Sequence, residues 1–246
     1  MHLLAAEPGT IQDGSEARDL KQTPGDIVFL SAADTEVALI AAARGRLGAD
    51  FPAVRVANLL SLSHHLSVDL YADATLAHAK LIVARLLGGR GYWPYGVERI
   101  VELAAARGIQ TAFLPGGDEP DAELAALSTA PREAQHRLWQ YLVHGGAANA
   151  AEFLNFAARL VGHAGEYQEP RPLPRAGIHG FDSLAAARAT WKPDRPLAAL
   201  VFYRALVQAG DTDAVAALTA ALDRAGLNAL PLYVASLKDP VAAETI

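Results

Sequence analysis

Short apolar runs alternate along the chain with longer segments in which apolar residues recur at helical spacing. The runs in the first half are at 26–30, 54–60, 79–87 and 110–114. The helical segments between and after them are at 35–44, 69–78 and 96–107. Strands that alternate with helices of this length are typical of βαβ units. We therefore predict an α/β fold with a mainly parallel, Rossmann-like sheet and flanking helices.

The domain that contains this sheet is predicted to span 26–165. Asp34 has the chemistry of an N-cap for the first helix, because its carboxylate can accept amide hydrogens of the first turn. From 121 to 163 the spacing is helical, with breaks near Ala130 and Gly145. Residues 1–25 are polar and rich in turn-forming pairs, so we interpret them as an irregular lead-in.

The last third of the chain has a different composition. Residues 166–196 include the run EPRPLPR and are predicted to be a proline-rich connector with a short helix at 182–190 that Asp182 caps. The elements predicted after it are a strand at 197–203, a loop at 204–210, a helix at 212–225 that Asp211 caps, and a strand at 229–234.

Two strands and one helix cannot bury both faces of a sheet, so 197–246 are unlikely to suffice as a stable domain. Either these strands join the first sheet or they begin a second, incomplete βαβ domain. We favour the second interpretation, which leads to the expectation that the polypeptide continues beyond Ile246.

Composition narrows the class of protein. The chain has 246 residues, of which 52% are hydrophobic and 20% charged, and this composition argues against a disordered chain. Its net charge of −6 argues against a nucleic-acid binder, which would need a basic surface. The absence of cysteine excludes disulfides and thiolate metal sites. The first residues lack a basic segment and a long apolar run, and no stretch approaches the length of a membrane span. We expect a soluble, cytoplasmic protein that does not bind membranes.

Ligands of open parallel sheets bind at the carboxyl ends of the strands. The segments expected to meet there are Ser31–Thr35, Asn58–Ser63, Arg85–Tyr95 and Leu114–Asp118. The third segment carries most of the candidate binding residues: Arg85, Gly88, Gly89, Trp93 and Tyr95. Glycines allow close approach of a ligand, and aromatic rings offer stacking faces. The alternative, which is the commoner role of such aromatics, is a glycine turn whose rings pack on the sheet end or form an interface.

A second candidate group lies where the strand at 197–203 leads into the next helix. Arg204, Gln208 and Asp211 are placed to bind an anionic or amide-bearing ligand near the free amides of the helix. The alternative is an ordinary connecting loop with an aspartate cap and an exposed arginine.

Several catalytic signatures are missing. The sequence has no dinucleotide-binding glycine motif, no Walker A motif and no nucleophile elbow, so the chain is not expected to hydrolyse ATP by itself. His64 and His65 are adjacent, and adjacent side chains rarely bind one metal ion together. We expect one of them to cap or pack and the other to be solvated. We assign no catalytic residue and no metal ligand.

The ordered series of motifs resembles the amino-terminal part of the CobN-type cobaltochelatase large subunit, which is related to the H subunit of magnesium chelatase. The matching stretches are NLL at 58–60, LSVDLY at 66–71, RLLGG at 85–89, YWPYG at 92–96, LPGGD at 114–118, YR at 203–204, QAGD at 208–211, GLNALP at 226–231 and SLKD at 236–239. Together they span nearly the whole chain.

This resemblance implies a part in the ATP-dependent insertion of cobalt into hydrogenobyrinic acid a,c-diamide during aerobic cobalamin biosynthesis. Such an enzyme is a ligase that forms nitrogen–metal bonds. In the family, the large subunit binds the tetrapyrrole, while an AAA+ ATPase subunit and a third subunit supply ATP hydrolysis. The segment itself is expected to bind no cofactor and to be inactive alone.

Two other functions stay open at this point. One is the equivalent role in a magnesium chelatase of the H type, with the same architecture and a different macrocycle. The other is a free-standing small-molecule binding module like a periplasmic binding protein, with the loops at 85–95 and 204–211 facing a shared cleft.

Overall fold

The structure is a computed structural model that describes residues 16–246. It divides into two compact units. The first unit runs to residue 171 without 145–147, and the second unit contains 145–147 and 172–246. The predicted lead-in lies partly outside the described residues, and 16–25 form neither helix nor strand.

The first unit is built on a four-stranded parallel sheet with the order β2-β1-β3-β4. Its strands are β1 (Ile27–Ser31), β2 (Val54–Asn58), β3 (Leu81–Leu86) and β4 (Gln110–Pro115). Ile27 of β1 lies opposite Val54 and Leu81. Every residue of β1 and β3 is buried, as expected for central strands of a sheet that is covered on both faces. The predicted α/β class with a parallel sheet is confirmed.

Helices cover both faces of this sheet. They are α1 (Asp34–Gly45), α2 (His65–Ala74), α3 (Pro94–Arg107), α4 (Ala122–Leu127), α5 (Arg132–His144) and α6 (Gly146–Leu160). Short 3-10 helices lie at Leu59–Leu62, Leu76–His78 and Arg90–Tyr92. Because side chains alternate along a strand, Phe29 packs in one core with Phe153 of α6, and Val28 packs in the other with Val97 of α3. The rings of Phe29 and Phe153 meet edge to face at 5.5 Å.

Loops cover both edges of the first sheet. Beside β2, the Gln22 side chain donates to the Val56 carbonyl at 2.9 Å. Beside β4, the Thr129 amide donates to the Thr111 carbonyl at 3.0 Å, and the Phe113 amide donates to the Ser128 hydroxyl at 2.8 Å. Backbone groups that an open edge would expose are therefore paired within the unit.

The second unit has a separate three-stranded sheet with the order β5-β7-β6. Its strands are β5 (Ala176–Ile178), β6 (Leu197–Tyr203) and β7 (Asn228–Val234). Its helices are α7 (Leu184–Arg188), α8 (Arg204–Ala209), α9 (Asp213–Arg224) and α10 (Pro240–Thr245). β6 runs parallel to β7, whereas β5 is antiparallel to it. The three strands pair only with one another, so they do not extend the first sheet.

Two elements of the second unit differ from the prediction. The segment 204–210 is not a loop, because α8 follows β6 directly and ends at Gly210, which has a φ of +68°. The proline-rich connector also contains β5, which was not predicted because a strand of three residues is too short to show an alternation of apolar and polar side chains. Gly177 of β5 lies so close to Tyr233 that an added methyl group would be 2.6 Å from its hydroxyl.

The predicted helix caps were wrong at all three aspartates. Ser183, not Asp182, caps α7 by accepting the Ala186 amide hydrogen at 3.1 Å. Thr212 occupies the N-cap position of α9 without a side-chain hydrogen bond, so Asp211 is one residue too early. Asp34 is the first residue of α1, and its carboxylate accepts a hydrogen bond from Asn58 instead.

Within residues 16–246, β6 pairs with β7 alone, and its alternate side chains Leu197, Val201 and Tyr203 are exposed. An uncharged, exposed strand favours association between chains. We expect Val201→Lys to reduce self-association in sedimentation velocity while changing the free energy of unfolding by less than about 0.5 kcal/mol. Leu232→Lys on buried β7 is the control, and it should destabilise the fold because it buries an unpaired charge. Unchanged self-association of Val201→Lys would contradict this expectation.

Candidate functional site

The usual ligand crevice of this sheet type lies where the strand order reverses, which here is between β1 and β3. Protein side chains fill it. The Ser31 hydroxyl at the end of β1 donates to the Glu36 carboxylate at 2.7 Å, and the same carboxylate forms a salt bridge with Arg85 at the end of β3. The strand ends meet as predicted, but a buried ion pair occupies the space between them.

Arg85 is held by the protein through each of its guanidinium nitrogens. It is only 5% exposed, and it donates to the carbonyls of Pro115 at 3.3 Å and Gly116 at 2.9 Å, as well as to Glu36. Burial lowers the pKa of the Arg85 guanidinium, and the Glu36 carboxylate opposes that shift. Glycine is needed at 116 because an added methyl group would lie 2.5 Å from the Leu87 backbone. Arg85 thus links the ends of β3 and β4 directly and is linked to the end of β1 through Glu36 and Ser31.

A pocket of about 360 Å³ lies between α2, the short helix that follows β2 and the loop that leads from β3 to α3. Its lining residues are Leu59, Leu60, Ser63, His65, Val68, Tyr92, Trp93, Pro94 and Tyr95. Two of the four predicted segments, 58–63 and 85–95, therefore form one concave surface together with α2. Apolar and aromatic walls with few polar groups are typical of small-molecule sites.

Trp93 forms a buried wall of the pocket. It is 6% exposed, and its indole nitrogen donates to the Leu62 carbonyl at 2.9 Å. The ring lies directly against Gly96 in the first turn of α3, where an added methyl group would be 2.1 Å from ring carbons. The glycine in the sequence YWPYG is therefore required for the tryptophan to reach this position.

Tyr95 also lines the pocket and is fixed by its neighbours. Its hydroxyl lies 2.9 Å from both carboxylate oxygens of Asp69, and Arg99 donates to the same carboxylate at 3.0 Å. The hydrogen bond to Asp69 raises the pKa of Tyr95 because it stabilises the protonated hydroxyl. His65 stacks on the Tyr95 ring with the ring centres 4.0 Å apart.

The two adjacent histidines have the different roles that the sequence predicts. His64 is the N-cap of α2, and its Nδ1 accepts the Leu66 amide hydrogen at 3.1 Å, whereas His65 is exposed. Our candidate residues did not include His65 or Asp69. Their spacing of four residues on α2 places both on the helix face toward Tyr95, and this was the signal available in the sequence.

Gly88 and Gly89 shape the turn before the pocket. Gly89 has a φ of +66° with extended ψ, a conformation that glycine adopts readily, and its carbonyl accepts the Tyr92 amide hydrogen at 3.1 Å. The ring of Tyr92 packs over Gly88, close to where a side chain would begin. These glycines thereby present Tyr92 at the pocket, and their direct contact with a ligand stays a prediction.

The remaining candidates belong to the second unit. Arg204 begins α8 and donates to the carbonyls of Leu173 at 2.8 Å and Pro174 at 2.9 Å. Gln208 lies on the same helix and is half-buried, and Asp211 is exposed just beyond it. Their part in ligand binding stays a prediction.

Among residues 16–246, no group of three or more histidine and acidic side chains is arranged to hold a metal ion. No helix within the same residues is long and apolar enough to cross a membrane.

Comparisons with known proteins agree with the resemblance in the motifs. The sequence profile of the CobN/magnesium chelatase family matches residues 139–246. The aerobic cobaltochelatase subunit CobN of a Sinorhizobium species is 46% identical over 100% of this chain, and that of Pseudomonas aeruginosa is 42% identical over 97%. The chain covers 20% of the length of each of these relatives.

A solved structure gives the same result. The catalytic subunit of cobaltochelatase from Mycobacterium tuberculosis matches with a TM-score of 0.66 and 29% sequence identity, over 91% of this chain and 17% of the other. The predicted resemblance to the CobN-type large subunit is confirmed by both the sequences and the structure.

The contact between Trp93 and Gly96 is expected to stabilise the first unit, and substitution of the glycine tests this. Gly96→Ala should force the indole out of its position and destabilise the first unit by about 1–3 kcal/mol, the usual cost of overpacking a core. Gly91→Ala is the matched control, because nothing lies within 4 Å of an added methyl group there. Urea unfolding followed by tryptophan emission measures both, and equal midpoints for the two variants would contradict the proposed contact.

The ion pair between Arg85 and Glu36 is also expected to stabilise the first unit, and substitution of the glutamate tests this. Glu36→Gln leaves the Arg85 charge buried without its partner and should lower the free energy of unfolding by about 3 kcal/mol. Glu98→Gln removes a partner of Arg90 in an exposed pair and should cost less than about 1 kcal/mol. Chemical denaturation distinguishes them; a loss of less than about 1 kcal/mol for Glu36→Gln would show that the pair does not stabilise the strand ends.

Proposed function

We propose that this chain, which resembles CobN cobaltochelatase subunits over its whole length, works as part of the large subunit of an ATP-dependent cobaltochelatase. The observation that carries this proposal is the 46% identity to a cobaltochelatase subunit CobN over the whole chain. The reaction is the insertion of cobalt into hydrogenobyrinic acid a,c-diamide with formation of nitrogen–metal bonds, as in a ligase of aerobic cobalamin biosynthesis. Cobalt is a substrate in this scheme.

The proposed division of labour gives ATP hydrolysis to separate subunits. An AAA+ ATPase and a third subunit act on the large subunit, and this segment contributes to binding the tetrapyrrole or to assembly. The cytoplasm, which supplies ATP, is the proposed compartment. The pocket supports a binding role, because aromatic walls pack well against a conjugated ring system.

Cobalt is favoured over magnesium by the extent of the matches. The family profile, whose description includes both kinds of chelatase, matches only 139–246. The two curated relatives that match 97–100% of the chain are both named cobaltochelatase subunits. The names of these relatives support cobalt as the metal.

Macrocycle binding tests the proposal. We expect hydrogenobyrinic acid a,c-diamide to quench the tryptophan fluorescence of the 246-residue chain at lower concentrations than protoporphyrin does, and the chain alone to insert no cobalt when given ATP. Tighter binding of protoporphyrin would favour the magnesium pathway. Failure to bind either macrocycle would contradict a role in substrate binding, and cobalt insertion by the isolated chain would contradict the division of labour.

A further inference from the structure

The strand β6 lies at the edge of the second sheet, yet its sequence is typical of a central strand. Its seven residues, LAALVFY, are all uncharged, and neither proline nor glycine interrupts them. Natural edge strands are usually short, charged or interrupted by proline, which hinders their pairing with other chains. A continuous apolar run is instead typical of a parallel strand that is buried on both faces. The sequence of β6 therefore indicates a position inside a larger sheet.

Other outer strands of the two sheets are protected in the usual ways. β5 has only three residues. β2 carries the charged Arg55, and the Gln22 side chain donates to the Val56 carbonyl on its outer edge. Among residues 16–246, the backbone of β6 is hydrogen-bonded to β7 alone. Its free edge therefore offers unpaired donors and acceptors along the longest unprotected strand of the second unit.

One face of β6 is also uncovered within the part of the chain that the structure describes. Alternation along the strand places Leu197, Val201 and Tyr203 on the same face, and they are 50%, 37% and 57% exposed. The other face is half-buried, and there the ring of Phe202 meets that of His179 edge to face. By contrast, every residue of β1 in the first unit is buried. The exposed face of β6 is apolar, so water is an unfavourable neighbour for it.

The second unit buries few large side chains of its own. Its buried cluster consists of Ala176 of β5, Val234 of β7 and Ala242 of α10. Apolar side chains that stay exposed include Leu218 of α9 and Leu237 after β7, at 45% and 62%. Because burial of apolar surface is the main source of stability, this unit gains stability when another apolar surface covers it.

The strand order of the first unit indicates what belongs beside β6. There β1 pairs with β2, the next strand along the chain, on one edge, and with the third strand, β3, on the other, and both pairings are parallel. In the second unit β6 likewise pairs in parallel with β7, the next strand along the chain. The outer edge of β7 is already occupied by β5. A third parallel strand of this series would therefore pair with the free edge of β6, as β3 pairs with β1.

We propose that β6 is a central strand in the full-length large subunit, where a parallel β-strand from the polypeptide outside this segment pairs with its free edge. An apolar helix that follows this strand covers the face of Leu197, Val201 and Tyr203. The relatives have enough chain for both elements, because this segment covers only 20% of the length of each. The proposal rests on the function proposed above in one respect, namely that the chain is part of a longer large subunit.

A second copy of this chain is the main alternative occupant. Two copies related by a twofold axis would pair their β6 edges in antiparallel directions. Antiparallel strands commonly keep one face in water and alternate apolar with polar residues, whereas β6 shows no such alternation. The self-association that we expect of the isolated chain is then a consequence of an edge whose natural neighbour is absent.

Amide hydrogen exchange tests the free edge. In a strand that is paired on one edge alone, alternate amides point away from the partner, so about half of the amides of 197–203 should exchange freely in the 246-residue chain. In the full-length large subunit, all of them should exchange as slowly as the amides of β7, which is paired on both edges. Free exchange of alternate β6 amides in the full-length subunit would overturn the proposal. Sedimentation velocity selects a concentration at which the short chain is monomeric, because self-association would also protect β6.

A photocrosslinker identifies the occupant. In the full-length subunit, Val201→p-benzoylphenylalanine should crosslink within the same polypeptide to a peptide outside residues 1–246. The same replacement of Ala106, an exposed residue of α3, is the control and should not crosslink to that peptide. A crosslink from position 201 to a second copy or to another subunit would show a different occupant and overturn the proposal. A crosslink confined to this segment would overturn it as well.

The outcomes separate this proposal from the function on which it rests. If the full-length subunit inserts cobalt with its partner subunits while alternate β6 amides exchange freely, the chelatase role stands and the proposed pairing is wrong. If β6 is protected and crosslinks as expected but no cobalt is inserted, the proposed function fails and the pairing stands. The exchange experiment uses the unaltered subunit, so its result does not depend on whether a variant folds.

Discussion

The buried ion pair between Arg85 and Glu36 is the constraint on which the arrangement of the site depends. Arg85 at the end of β3 bonds to the end of β4, and Glu36 of α1 bonds to Ser31 at the end of β1, at the point where ligands of similar sheets bind. Removing the Glu36 charge would leave the buried Arg85 guanidinium without its ionic partner, which is far more costly than losing an exposed pair. The sheet edge is therefore closed at its centre, and the open concave surface lies to one side, between α2 and the start of α3.

The sequence predicted the first sheet well, because four apolar runs separated by helical spacing leave few alternatives to a parallel α/β arrangement. It also predicted that the strand ends meet, since all parallel strands end on the same side of a sheet, while the ligand-binding role of the residues there stays a prediction. The roles of individual residues were harder to predict. Arg85 looked available to a ligand, and only the fold brings Glu36, 49 residues away, into contact with it.

The roles of individual residues were predicted wrongly or not at all where neighbouring residues have similar chemistry. Ser183 and Asp182 are both good caps, and the backbone decides which of them faces the free amides of α7. In the same way, the sequence could not distinguish Tyr92 from Trp93, although one ring is exposed and the other is buried. Gly96 was the residue that indicated which ring is buried, because a glycine at that place in α3 makes room for the ring of Trp93.

The residues that determine the shape of the pocket are not those that a ligand touches. Asp69 lies behind Tyr95, and Gly96 lies behind Trp93, yet each decides where an aromatic ring stands. A rigid wall rejects a ligand of the wrong shape because the wall cannot move without breaking these contacts. The shape of the pocket therefore depends on Asp69 and Gly96, which do not line it, as much as on the rings that do.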